Sequence, residues 1–181
     1  MKARAGTALV LLFGLQLWVL SGPLQAQQEQ GDVELQFAGS VLSTVGQDGG
    51  SFTSGILKTK MGYFVTDHVE LGVFPSVLFD RVTVEQGNER ETFSATRFGM
   101  GLFGTYSFLM EDATTVPYVG MQFYRIDLTD EDEVGWIGAN GGFKFYISRT
   151  TAFDVGGNLL MGLGDRGGAL VLFQAGLSFL L

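Results

Sequence analysis

From residue 32 to the end of the chain, apolar and polar residues alternate through eight successive stretches. A repeat of two is the signature of an extended strand, whose side chains point to opposite faces in turn. Strands are expected at 32–45, 52–65, 69–84, 93–109, 117–127, 135–147, 151–164 and 169–181. Polar or Gly-rich breaks separate them at 46–51, 66–68, 85–92, 110–116, 128–134, 148–150 and 165–168. One face of each stretch is apolar and free of charge, as in Leu57, Met61 and Tyr63, or Phe143, Phe145 and Ile147. The other is polar and mostly small, as in Gly138, Asn140 and Gly142, or Gln174, Gly176 and Ser178.

Two closed architectures fit such strands. A soluble up-and-down barrel of the lipocalin type turns the apolar face inward around a ligand. A membrane barrel turns it outward to lipid. The polar face decides for the second: a water-exposed surface is usually rich in Lys and Glu, whereas Gly, Ser and Asn suit the cramped interior of an eight-stranded barrel. No apolar run beyond residue 20 is long enough for a spanning helix, and only helices and closed barrels cross bilayers. The expected fold is therefore all-β, an eight-stranded antiparallel up-and-down transmembrane β-barrel. Each stretch meets the roughly 9 to 11 residues that a tilted strand needs.

The first 26 residues have a different character. Lys2 and Arg4 precede the apolar run Thr7 to Leu20, and Ser21-Gly22-Pro23-Leu24-Gln25-Ala26 follows. This is the layout of a secretory signal peptide, with cleavage expected after Ala26. The expected organisation is residues 1–26 as signal peptide and 27–181 as a single barrel domain. Cleavage leaves 9 basic and 19 acidic residues, a net charge of −10. That balance, with no Lys/Arg cluster, argues against nucleic acid as a partner. The absence of cysteine excludes disulfides, thiolate metal sites and anchoring through a lipidated Cys.

Break lengths orient the barrel. With both termini periplasmic, the turns are 66–68, 110–116 and 148–150, and the exterior loops are 46–51, 85–92, 128–134 and 165–168. The outward rings of Tyr63, Tyr106, Phe108, Phe145, Phe153 and Phe179 then gather near the periplasmic end, where aromatic side chains favour the interface. Parity of the inward positions sets hairpin registers: Phe64 opposite Glu70, Lys144 opposite Asp154, and Asp80 opposite Arg97. Six luminal charges follow, namely Lys58, Lys60, Asp80, Arg97, Lys144 and Asp154. Pairing is expected between Lys144 and Asp154 and between Arg97 and Asp80, because a charge out of bulk water is costly alone.

The chain closes on Gln174-Ala175-Gly176-Leu177-Ser178-Phe179-Leu180-Leu181, which resembles the C-terminal signal read by the outer-membrane barrel assembly machinery. In it Gly176, Phe179 and Leu181 fill the Gly, aromatic and terminal apolar slots. With the segment Gly62-Tyr63-Phe64-Val65-Thr66-Asp67-His68-Val69-Glu70-Leu71-Gly72 and the strand start Pro117-Tyr118-Val119-Gly120, the chain resembles the small outer-membrane β-barrel domain family. Members of that family are similar to the transmembrane domain of outer-membrane protein A and to outer-membrane protein X. The resemblance implies a monomer in the outer membrane whose partners are lipid, lipopolysaccharide and the assembly machinery.

Candidate chemistry is sparse. A lipid A deacylase among such barrels would need a His and a nucleophilic Ser two positions apart. His68 is the only histidine, and no Ser lies two positions from it. Nothing supports a palmitoyl transferase, the other lipid-modifying type considered. The acidic run Asp127, Asp130, Glu131, Asp132 and Glu133 could gather Ca²⁺ or Mg²⁺, but it lacks the spacing and central Gly of an EF-hand and reads first as a solvated loop. No catalytic, cofactor or metal residue is assigned. The expected role is a non-enzymatic envelope or surface-interaction protein, with a narrow channel for small or apolar solutes as the alternative and a lipid-modifying enzyme after that.

Overall fold

The structure, a computed structural model, describes residues 28–45, 51–86, 89–110, 114–125, 135–163 and 168–181. The proposed signal peptide and the acidic run from Asp127 to Glu133 lie outside the described residues. Eight strands follow one another: β1 Val33–Val45, β2 Ser51–Phe64, β3 Val69–Gln86, β4 Glu89–Ser107, β5 Thr115–Arg125, β6 Trp136–Tyr146, β7 Thr151–Gly162 and β8 Ala169–Leu180. Each pairs antiparallel with its sequence neighbours, and β8 returns to β1 to close the barrel. Closure removes the free edges that an open sheet would leave unsatisfied.

Alternation places the side chains as the sequence pattern predicts. Phe37, Leu57, Met61, Leu71, Leu102, Met121, Phe143 and Phe173 all stand exposed on the outside, while Glu34, Gln36, Lys58, Gln122, Asn158 and Gln174 are buried inside. The belt is much too large to be the scattered apolar surface of a soluble protein.

Two of the three expected registers are present: Phe64 lies opposite Glu70, and Lys144 opposite Asp154. The third differs. Asp80 lies opposite Ala95 and Arg97 opposite Leu78, a shift of two positions. The reason is that most of the expected loop 85–92 is strand: the β3–β4 ladder runs to Gln86 and Glu89. β5 likewise begins at Thr115 rather than 117.

At the end bearing the short turns, residues preceding β1 fold against the barrel. Gly31 N donates to the Phe64 carbonyl at 2.9 Å, and Gln28 Nε2 to the Asp67 carbonyl at 2.9 Å. Gly31 has φ +103°, a conformation that a side chain would strain. Gln28 is thereby buried and accepts the Tyr146 hydroxyl at 3.2 Å.

Candidate functional site: the barrel interior

Inward positions on five strands bring an ionic cluster together near the short-turn end. Lys144 on β6 is ion-paired with Glu34 on β1 across the interior, and its ammonium lies 4.0 Å from Glu70 on β3. Asp154 on β7 accepts a hydrogen bond from the Tyr118 hydroxyl of β5 at 2.9 Å. The expected Lys144–Asp154 pair is therefore replaced: the residues are register partners, but the lysine reaches across the lumen to Glu34. A long, flexible ammonium is not confined to its neighbour in the ladder. Glu34, Glu70, Lys144 and Asp154 are all at most 2% exposed, so each charge depends on the others. Removing one partner of such a pair costs about 3 to 5 kcal/mol.

Glycines make the room. A Cβ on Gly62 would collide with the Glu70 side chain, and one on Gly142 would stand 2.9 Å from the Tyr118 hydroxyl. The small residues of the polar face thus accommodate large side chains from other strands.

Farther along the axis the interior turns aromatic. Phe74 packs against Phe103 and Tyr124 with ring centroids 6.3 and 5.3 Å apart. Ile56, Leu78, Leu160 and Leu172 complete this buried cluster. The expectation of a polar, mostly small inner face holds for only part of the barrel. Alternation could have found Phe74 and Phe103, which have inward parity, but Val73-Phe74 and Leu102-Phe103 are apolar pairs that hide the contrast between faces.

Lys60 sits over the Phe103 ring at 4.1 Å, and Lys58 lies 5.1 Å from the Phe74 centroid and 5.3 Å from that of Tyr124. Cation–π attraction contributes about 2 kcal/mol for a desolvated cation, less than the several kcal/mol that burying an ammonium costs. Polar bonds thread the same region: Ser76 and Tyr124 share one at 2.6 Å, Gln122 donates to Asn158 at 2.9 Å, and Asn158 to Gln174 at 3.0 Å.

Toward the loop end Arg97 is ion-paired with Asp80 along a diagonal of the shifted register, and Ser54 donates to the other Asp80 oxygen at 2.7 Å. Arg97 is 40% exposed, so this pair contributes only about 0 to 1 kcal/mol.

The other sequence-derived positions lie away from these charges. Gly176 is on the β8–β1 seam opposite Ala38, Phe179 is opposite Leu35 with its ring 6.4 Å from that of Phe37, and Leu181 N donates to the Val33 carbonyl at 2.9 Å. His68 stacks on Tyr106 with centroids 5.6 Å apart and donates through Nδ1 to the Ser107 carbonyl at 3.0 Å. No group of three or more candidate metal ligands occurs among the described residues.

No protein-family model matches the sequence, and no curated protein does. Solved structures do. The N-terminal β-barrel domain of Pseudomonas aeruginosa OprF matches with TM-score 0.54 and 19% identity, covering 85% of this chain and 100% of that one. The outer membrane protein OprG from Pseudomonas aeruginosa matches with TM-score 0.53 and 14% identity, over 87% and 99% of the two chains. Neisserial surface protein A matches with TM-score 0.50 and 15% identity, over 82% and 96%. This chain has the fold that these small eight-stranded outer-membrane barrels share.

Proposed function

We propose that the chain is an exported integral outer-membrane barrel with a closed interior, which stabilises the envelope or presents its loops at the cell surface and carries out no catalysis. The observation that carries this reading is the filling of the lumen. Phe74 and Tyr124 are fully buried at mid-barrel, and the Lys144–Glu34–Glu70 cluster and Gln28 occupy the short-turn end. The exposed apolar belt supports insertion in lipid, and the signal-like terminus supports delivery by the barrel assembly machinery. In this reading residues 1–26 are removed on export, and the short turns face the periplasm.

Planar-bilayer recording tests it: the purified protein should give no large, steady conductance. A stable porin-like current would overturn the closed interior. The narrow-channel alternative draws support from polar atoms of Gln36, Thr105, Asn140 and Ser178 that are buried without a protein partner. Small solute fluxes abolished by substitution of these residues would establish that alternative.

A further inference from the structure

Lys58 departs from the pairing that Lys144 and Arg97 show in the same interior. It is 6% exposed and its ammonium has no hydrogen-bond partner. Among the described residues it makes no salt bridge, and the charge acting on it is the like-signed ammonium of Lys60. Aromatic rings flank it, but they supply no countercharge. Lys144, by contrast, is ion-paired with Glu34 and lies 4.0 Å from Glu70, and these two carboxylates with Asp154 also attract Lys60.

Beside it stands a second unsatisfied group. Gln36, 1% exposed, has neither its amide nitrogen nor its amide oxygen engaged. In the β1–β2 ladder Gln36 lies opposite Lys60, and Lys58 lies opposite Ala38, one inward step along. Ser178, opposite Gln36 on the other side, also has a buried hydroxyl without a partner. Two lysines, a glutamine amide and a serine hydroxyl thus occupy inward positions on three adjacent strands. Donors dominate the set, and buried donors of this kind require an acceptor.

We propose that the mid-barrel lumen binds a small monovalent anion of halide size, held by Lys58 with Lys60, Gln36 and Ser178 around it. The cramped interior of an eight-stranded barrel favours a compact ion over a phosphate ester or an organic acid. Phe74 and Tyr124, fully buried beside the Lys58 ammonium, keep bulk water from screening the attraction. The site rests on the closed interior proposed above, and the two fail separately. A large steady conductance would overturn the closed interior, whereas the tests below address the anion itself.

Thermal unfolding of the purified barrel in detergent, with chloride replaced by gluconate at constant ionic strength, provides the first test. Gluconate is too large for the site, so the midpoint should be higher by a few degrees in chloride, because a ligand bound only by the folded state stabilises it. In K58M the difference between the two salts should vanish, and in Q36L it should shrink. Equal midpoints in chloride and gluconate, or a chloride effect unchanged in K58M, would overturn the proposal. Should K58M fail to fold, bromide anomalous scattering from crystals of the unaltered protein decides the question. A peak within hydrogen-bonding reach of the Lys58 ammonium supports the site, and its absence overturns it.

Discussion

At the scale of single residues, the interior is governed by which charges have partners. Lys144 serves two carboxylates, so its removal strands both, whereas loss of Glu34 leaves the lysine with Glu70 at 4.0 Å. K144M should therefore lower urea stability by about 3 to 5 kcal/mol, and E34L by less. The E34L/K144M double variant should recover part of the loss. A double-mutant cycle for Lys144 and Asp154 should show weaker coupling than the one for Lys144 and Glu34, and the reverse order would refute the cross-lumen pair. Parity made the inward direction of Lys144 and Asp154 legible in the sequence. It could not reveal Glu34 as the partner, because β1 and β6 are not neighbours in the sheet and no periodicity reports contacts across a lumen. Lys58 was legible as an inward charge in the same way, but not as one without a counterion.

At the scale of strands, closure depends on the seam between the first and the last. The β1–β8 ladder has 6 register pairs against 13 between β1 and β2. Gly176 lies within it, and a Cβ there would collide with the Phe37 carbonyl and the Ala38 backbone. Gly157, on the outer face, has no atom nearer than 3.7 Å to a Cβ placed on it. G176A should thus cost about 1 to 3 kcal/mol, while G157A should be neutral or stabilising by about 0.4 to 1 kcal/mol, as read from urea unfolding. Equal effects would deny the seam its tight fit. For assembly, F179D with L181D should block insertion and bring periplasmic degradation. F153D places the same charge toward lipid outside the terminal motif, and equal assembly defects at both sites would argue against a terminal signal. Strand number and facing were readable because alternation is strict along the lipid-facing side. The β3–β4 register was not, because Arg90, Glu91 and Thr92 are polar and resemble a loop, yet pair as strand.

At the scale of the whole molecule, a closed ladder without free edges should resist detergent until heated. A folded sample should migrate differently on a denaturing gel before and after boiling, and identical migration would refute the membrane barrel. The wall is also uneven in height. At about 3.3 Å per residue and a tilt near 40°, the 11-residue strands β5 and β6 rise roughly 25 to 30 Å, about the height of the apolar band of such barrels. The 18 and 19 residues of β3 and β4 rise roughly 45 Å on the same basis. Residues 91 to 96 are exposed on both faces, beyond Met100, the last β4 residue paired with β5 among the described residues. The β3–β4 hairpin is therefore a mast rooted in the membrane, and it offers a way to ask which side of the envelope the long end faces. A protease site inserted between Gly87 and Asn88 should be cut on intact cells, and the two halves should remain together as a nicked barrel until boiled.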